Sequence, residues 1–163
     1  NLSVAEAIDF FAPVPKVRRA LEALQDTGLD YLSLGQTSPT LSGGEAQRLK
    51  LVTHLLTGLK PGKDSLRSRN NAKLFVLEEP TIGLHHADVR RLVEVLHRLV
   101  DGGHTVIVIE HHMELIAETD WDIDLGPEGG ESGGKIVVQG PPEKIAKCTR
   151  SHTGRFLKSL IEK

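Results

Sequence analysis

Two adjacent carboxylates, Glu78 and Glu79, follow the wholly apolar run Leu74-Phe75-Val76-Leu77 and precede Pro80. Acids at the C-terminal end of a buried strand stand where α/β sheets receive ligands. Successive strand residues point to opposite sides. One carboxylate can therefore hold a magnesium ion through water, while the other orients or deprotonates a water attacking a phosphate. A second group is Ser42-Gly43-Gly44, just ahead of a helical pattern. Glycines let a ligand approach the main chain, and the helix start that follows offers unpaired N–H groups and partial positive charge to a phosphate. Ser42 can add a hydroxyl donor. The third is His111, after the apolar run Thr105-Val106-Ile107-Val108-Ile109, where an imidazole can donate to a phosphate and report its loss. Each has a plain structural counterpart: a surface acid pair, a serine helix cap, a strand-capping histidine. The pairs His85-His86 and His111-His112 do not by themselves make a metal site, because adjacent histidines seldom ligate one ion together and no cysteine cluster accompanies them.

The elements that must position these groups follow from periodicity. Val4 to Leu34 is helical in pattern, with Val17, Leu21 and Leu24 at helix spacing and Gly28 as a stop. Residues 34–40 read as a loop. The helix opening at Ser42-Gly43-Gly44 is expected to bury Leu49, Val52 and Leu56, with Glu45, Arg48 and Lys50 wet. Gly58 to Lys73 is polar and basic, an expected exposed loop. Residues 74–77 and 105–109 are expected strands buried on both faces. Between them Ala87–Val100 is a helix with Val89, Leu92, Val93, Leu96 and Leu99 as its stripe, which implies a right-handed parallel crossover. A helix from His112 to Glu118, with His112 facing solvent, leads to a strand around Ile123-Asp124-Leu125. A glycine-rich turn then joins Lys135-Ile136-Val137-Val138, and helical pieces near Pro142–Lys147 and Thr153–Ile161 close the chain. The fold class is α/β, a helical segment leading a mostly parallel sheet. The expected organisation is a helical segment over 1–58, an exposed basic loop over 59–73 and an α/β core over 74–163.

Composition narrows the function classes. The 163 residues include 20 basic and 22 acidic ones, a formal charge of −2, so no global basic field announces nucleic-acid binding. Cys148 is the one cysteine, which excludes an internal disulfide or a Cys-rich zinc site and fits a cytoplasmic setting. No apolar run has the length of a membrane span. The start at Asn1-Leu2-Ser3-Val4 reads as a cut point inside a longer protein.

The octet Leu41-Ser42-Gly43-Gly44-Glu45-Ala46-Gln47-Arg48 resembles the signature of ABC-type ATPases, residues 74–80 resemble a Walker B strand, and His111 matches the family's switch histidine. Pro80-Thr81-Ile82-Gly83-Leu84-His85, Asp124-Leu125-Gly126-Pro127-Glu128-Gly129-Gly130 and Ser151-His152-Thr153-Gly154-Arg155-Phe156-Leu157 narrow the likeness. Together they resemble the UvrA family, the damage-sensing ATPases of the ABC excinuclease, at the end of the family's second ATPase domain. The resemblance implies ATP and Mg2+ as cofactors. Ser42, Gly43, Gly44 and Gln47 would then contact ATP in trans, Glu78 would hold the metal through water, and Glu79 and His111 would be catalytic. It also implies a second ABC ATPase unit as partner (intramolecular or in a homodimer), a UvrB-like subunit, damaged DNA, and a cytoplasmic setting without a membrane. The family's zinc modules would lie upstream, so no zinc is expected in this segment. Two departures point to a divergent branch, with repair and drug tolerance both open as its task. Glu78 stands where the family usually has Asp, and the 58–73 connection is long.

A phosphate-binding P-loop needs Gly-x-x-x-x-Gly-Lys followed by Ser or Thr, after a strand and opening a helix. Gly129 to Gly134 followed by Lys135 comes near, but the next residue is Ile136 and a strand pattern follows. It reads as a hairpin turn. The chain thus holds parts of two different ATP sites and completes neither, so it is expected to be inactive alone. The alternatives are the C-terminal half of an SMC-like ATPase, which should show coiled-coil heptads upstream, and a non-hydrolysing, nucleotide-gated binding module.

Overall fold

The computed structural model describes residues 2–58, 72–126, 128 and 133–162. The loop expected at 59–73 therefore lies, from 59 to 71, outside the described residues, as does most of the glycine-rich turn. The chain divides into two compact units, residues 1–109 and 110–163.

The first unit begins with two helices where one helical pattern is expected: α1 (Val4–Phe10) and α2 (Pro15–Asp26). Pro15 explains the break, since its ring excludes a helical predecessor and suits a helix's first turn. Val4, Ala7, Leu21, Leu29 and Leu32 form one buried cluster with Leu41 and Leu49 packed against it, while Val17 is exposed. A short 3-10 turn at Ser38–Thr40 leads to α3 (Gly43–Gly58). On α3 the buried positions are Arg48, Leu51, Val52 and Leu55, and Leu56 is exposed. Arg48, expected to stay wet, is 1 % exposed. It sits one turn before Val52 on the inward face, so helix geometry overrides residue type.

Strand β1 (Leu74–Glu78) pairs in parallel with β2 (Thr105–Ile109), Glu78 opposite Ile109, across α4 (His86–Asp101). The parallel pairing across a helix is as expected. The core stripe of α4 is Val89, Leu92, Val95, Leu96 and Leu99, with Val95 in place of the expected Val93. The strands are not buried on both faces: Phe75 and Leu77 are buried, whereas Leu74, Val76, Ile107 and Ile109 are exposed. Nothing in the described part of this unit covers the second face.

The second unit holds α5 (Met113–Ile116), β3 (Asp122–Gly126), β4 (Lys135–Gly140), α6 (Pro142–Ala146) and α7 (His152–Ile161). Strands β3 and β4 are antiparallel with an irregularity at Asp124/Leu125, so the described sheets are one parallel and one antiparallel pair. Ile116, Ile145 and Leu157 form the core. The tail motif is structural. Ser151 caps α7 by accepting from Gly154 N–H (2.7 Å) and donates to Asp124 Oδ2 (2.6 Å), while Thr153 Oγ1 donates to Asp124 Oδ1 (2.9 Å). Gly154 lets α7 press on α6: a Cβ there would lie 2.1 Å from the Ile145 carbonyl oxygen. No helix among the described residues is long and apolar enough to cross a membrane.

Candidate functional site

The signature loop is preorganised by its own sequence. Ser42 and Glu45 exchange the reciprocal bonds of a capping box: Glu45 N–H donates to Ser42 Oγ (3.3 Å) and Ser42 N–H to Glu45 Oε2 (2.5 Å). The first helical bond, Ala46 N–H to Ser42 O, is 3.0 Å. The Tyr31 hydroxyl donates to Glu45 Oε1. These bonds, Tyr31's first, hold the Glu45 carboxyl below its usual range, and burial with the neighbouring carboxylate pushes the Tyr31 phenol up. Ser42 Oγ acts as acceptor here, which leaves its proton for an outward acceptor such as a phosphate oxygen. Ser42 and Gly43 are exposed, and a Cβ on Gly43 would meet nothing within 4 Å. A serine cap is the plain reading of this loop in the sequence; its extension to Tyr31, fourteen residues away, leaves no local signal.

One turn later the helix turns inward to the carboxylate strand. With the Gln47 carboxamide oriented donor to acceptor, its nitrogen donates to the Glu78 carbonyl (3.1 Å) and its oxygen accepts from the Glu78 N–H (3.0 Å). Gln47 is thereby paired to the main chain of β1. Arg48 Nη1 donates to the carbonyls of Pro80 and Ile82, 3.1 Å each. Burial pulls its pKa down against the opposing pull of Tyr31, Glu45 and Asp88. The Asp88 carboxylate lies on the next helix.

Glu78 ends β1 exposed, and Glu79 is half-buried. The expected strand alternation stops between them: Glu79 has φ +46°, the one left-handed non-glycine residue described. Such a conformation costs an L-residue about 1–2 kcal/mol. Its N–H still reaches the Ile109 carbonyl (2.8 Å), and the chain then turns through Ile82 N–H to Glu79 O (3.1 Å) and Leu84 N–H to Thr81 O (3.0 Å). The first unit thus pairs Gln47 with Glu78, next to Glu79, and Ser42, Gly43 and Gly44 lie at the start of the helix that carries Gln47.

His111 lies in the second unit, next to its first residue, Glu110. Its side chain is 76 % exposed, with Nδ1 3.9 Å from Glu110 Oε2. The Glu110 carboxylate, 2 % exposed, accepts from the N–H groups of His111 (2.8 Å) and His112 (3.1 Å). Glu110 thereby fixes the main chain at His111 and His112. His112 is not the solvent-facing residue expected; it is half-buried at the N-cap of α5, because the main chain is drawn over Glu110.

A glycine loop opening a helix, paired to a strand that ends in two carboxylates, defines a segment of an ABC-type ATPase. The chain is 51 % identical over 164 residues to UvrABC system protein A of Haemophilus influenzae, matching all of this chain and 16 % of that protein. It is 47 % identical over 163 residues to UvrABC system protein A of Lactiplantibacillus plantarum, again over the whole chain and 16 % of the relative. The crystal structure of UvrA2 from Deinococcus radiodurans matches 97 % of this chain and 18 % of that one, with a TM-score of 0.78 and 46 % identity. No protein-family model matches the chain. Over its whole length the chain matches a C-terminal fragment of UvrABC system protein A. It spans about 16 % of the length of those curated relatives.

Proposed function

We infer that this chain is the C-terminal ATPase segment of a UvrA-like protein that recognises damaged DNA in nucleotide excision repair, and that it serves two ATP sites at once. Ser42, Gly43 and Gly44 offer a hydroxyl and main-chain N–H groups to the terminal phosphate of ATP held by another ATPase unit. Glu78 would hold Mg2+ through water, and that ion would screen the charge developing on the phosphates. Glu79 orients and deprotonates the water that attacks the γ-phosphate, giving ADP and phosphate. His111, its main chain fixed by Glu110, donates to that phosphate. The donor set fits these ligands: hard oxygen ligands for Mg2+ and an outward hydroxyl for phosphate. The partners of this reading are a second ABC ATPase unit, a UvrB-like subunit and damaged DNA, in the cytoplasm. The organisation is a signature segment over 1–58, a basic connection over 59–73 and a Walker B and switch-histidine core over 74–163.

The observation that carries this reading is the junction of the signature helix and the carboxylate strand in one compact unit. The experiment is Glu79→Gln in the full-length protein. Hydrolysis should fall by more than about 100-fold, with ATP binding retained. Loss of binding instead would give Glu79 a structural role. A second reading, a nucleotide-gated module that does not hydrolyse, is favoured by Glu78 in place of Asp; a wild-type protein that binds ATP without turnover, with or without DNA, would establish it.

A further inference from the structure

Glu79 is bracketed by α3. Gln47 bonds both main-chain groups of the residue before it, and Arg48 bonds the carbonyls of Pro80, the residue after it, and of Ile82. Because the Glu79 N–H points to β2, the N–H and C=O of Glu78 face the opposite edge of β1, and there the Gln47 carboxamide stands in for a strand neighbour. Four hydrogen bonds from two consecutive helix residues thus surround a left-handed carboxylate residue. The same helix carries the signature loop one turn earlier, and the loop rests on the clamp: a Cβ on Gly44 would lie 3.1 Å from Arg48 Nη1 and 3.5 Å from Ile82 O. Arg48 Nε has no hydrogen-bond partner among the described residues, while Tyr31, Glu45 and Asp88 also act on the buried guanidinium.

We propose that Gln47 and Arg48 are a positioning pair that transmits movement of the signature loop, engaged on one ATP, to the carboxylate of Glu79 at the other. In this role the pair acts through main chain and not through contact with nucleotide. Closure of the loop on a phosphate shifts the first turn of α3, and the four bonds carry that shift to the main chain on both sides of Glu79. The proposal rests on the ATPase reading above and adds to it the route by which two sites act together.

The test uses the full-length protein and steady-state ATP hydrolysis, with ATP binding and thermal unfolding measured alongside. Gln47→Glu keeps the side chain's size and its bond from the Glu78 N–H but sets an oxygen against the Glu78 carbonyl. Misplacing a catalytic group by a fraction of an ångström lowers kcat by about 10- to 100-fold, and KM should stay within about twofold, because no binding contact is lost. Arg48→Met should act in the same direction. Arg48→Lys, which keeps one cationic nitrogen for both carbonyls, should restore most of the rate. Adding Glu79→Gln to Gln47→Glu should cost little more than Glu79→Gln alone, since both act through one carboxylate. An unchanged kcat for Gln47→Glu in an active enzyme would overturn the proposal, as would additive losses in the double variant or a loss that only follows unfolding. A wild-type protein that does not hydrolyse ATP would instead overturn the reading beneath it.

Discussion

Gly44 lies against Arg48, with room for a hydrogen but not comfortably for a methyl group, since a Cβ would stand 3.1 Å from Arg48 Nη1. Gly43, its neighbour, has open space. Ala is preferred to Gly in helices by up to about 1 kcal/mol, less in the first turn. Gly43→Ala should therefore hold or raise stability by about 0.5 kcal/mol. Gly44→Ala should lower it by about 1 kcal/mol as the guanidinium is displaced from its carbonyls. Urea unfolding of the two variants compares them directly, and equal effects would remove Gly44 from the clamp.

Gly154→Ala tests the packing of the second unit. Its Cβ would meet main chain, the Ile145 carbonyl oxygen at 2.1 Å, and main chain cannot rotate away as a side chain would. A loss of about 2–3 kcal/mol is expected, in the range of overpacked cores. Thermal melts within a degree of wild type would mean α6 and α7 separate freely.

Glu45 gives the signature loop an acid limit. Its carboxyl is held below its usual range, first by the Tyr31 hydroxyl and then by the Ser42 N–H. The ionised form is the one the fold favours, so its contribution is complete above the ordinary glutamate range and is lost as pH falls through the lowered value. Glu45→Gln should cost about 0.5–1 kcal/mol near neutrality, the size of a helix cap, and progressively less below about pH 4. Melts of the two proteins across pH would show the curves converging in acid; parallel curves would contradict the assignment.

Asp122 titrates the opposite way. Burial raises its pKa, the Thr119 hydroxyl bond opposes this, and Asp124 adds repulsion. Its Oδ2 is buried with no hydrogen-bond partner among the described residues. The fold favours the protonated form, so the contribution is complete below the ordinary aspartate range and lost as pH rises through the raised value. Asp122→Asn should raise the Tm by about 1–3 °C at pH 7 and change little near pH 3. A lower Tm at pH 7 would show the charge to be used.

The helices, the parallel crossover and the three motifs were legible because they depend on local periodicity and on short spacings. The role of Arg48 was not, although its place one turn before Val52 put it on the buried face, because a guanidinium is ordinarily read as solvated and the oxygens that receive it lie 32 and 34 residues away. Gln47 was legible as part of a motif but not as a partner of Glu78, because a carboxamide completing a strand edge leaves no periodic trace. The apolar runs at 74–77 and 105–109 correctly marked strands, yet apolar residues on both faces record what a sheet is suited to bury and not which layers this chain supplies. Glu110 escaped notice beside two histidines, since nothing in a sequence distinguishes a carboxylate folded onto the next two N–H groups from one in water.

The most direct test of the central claim, that this chain holds pieces of two ATP sites and completes neither, is calorimetric titration of magnesium-ATP into the 163-residue chain. The account predicts no saturable heat, because the signature awaits another unit's nucleotide and Glu78 and Glu79 await a P-loop. Micromolar, saturable binding that disappears in Glu78→Ala or His111→Ala would contradict it and place a phosphate site within this segment alone.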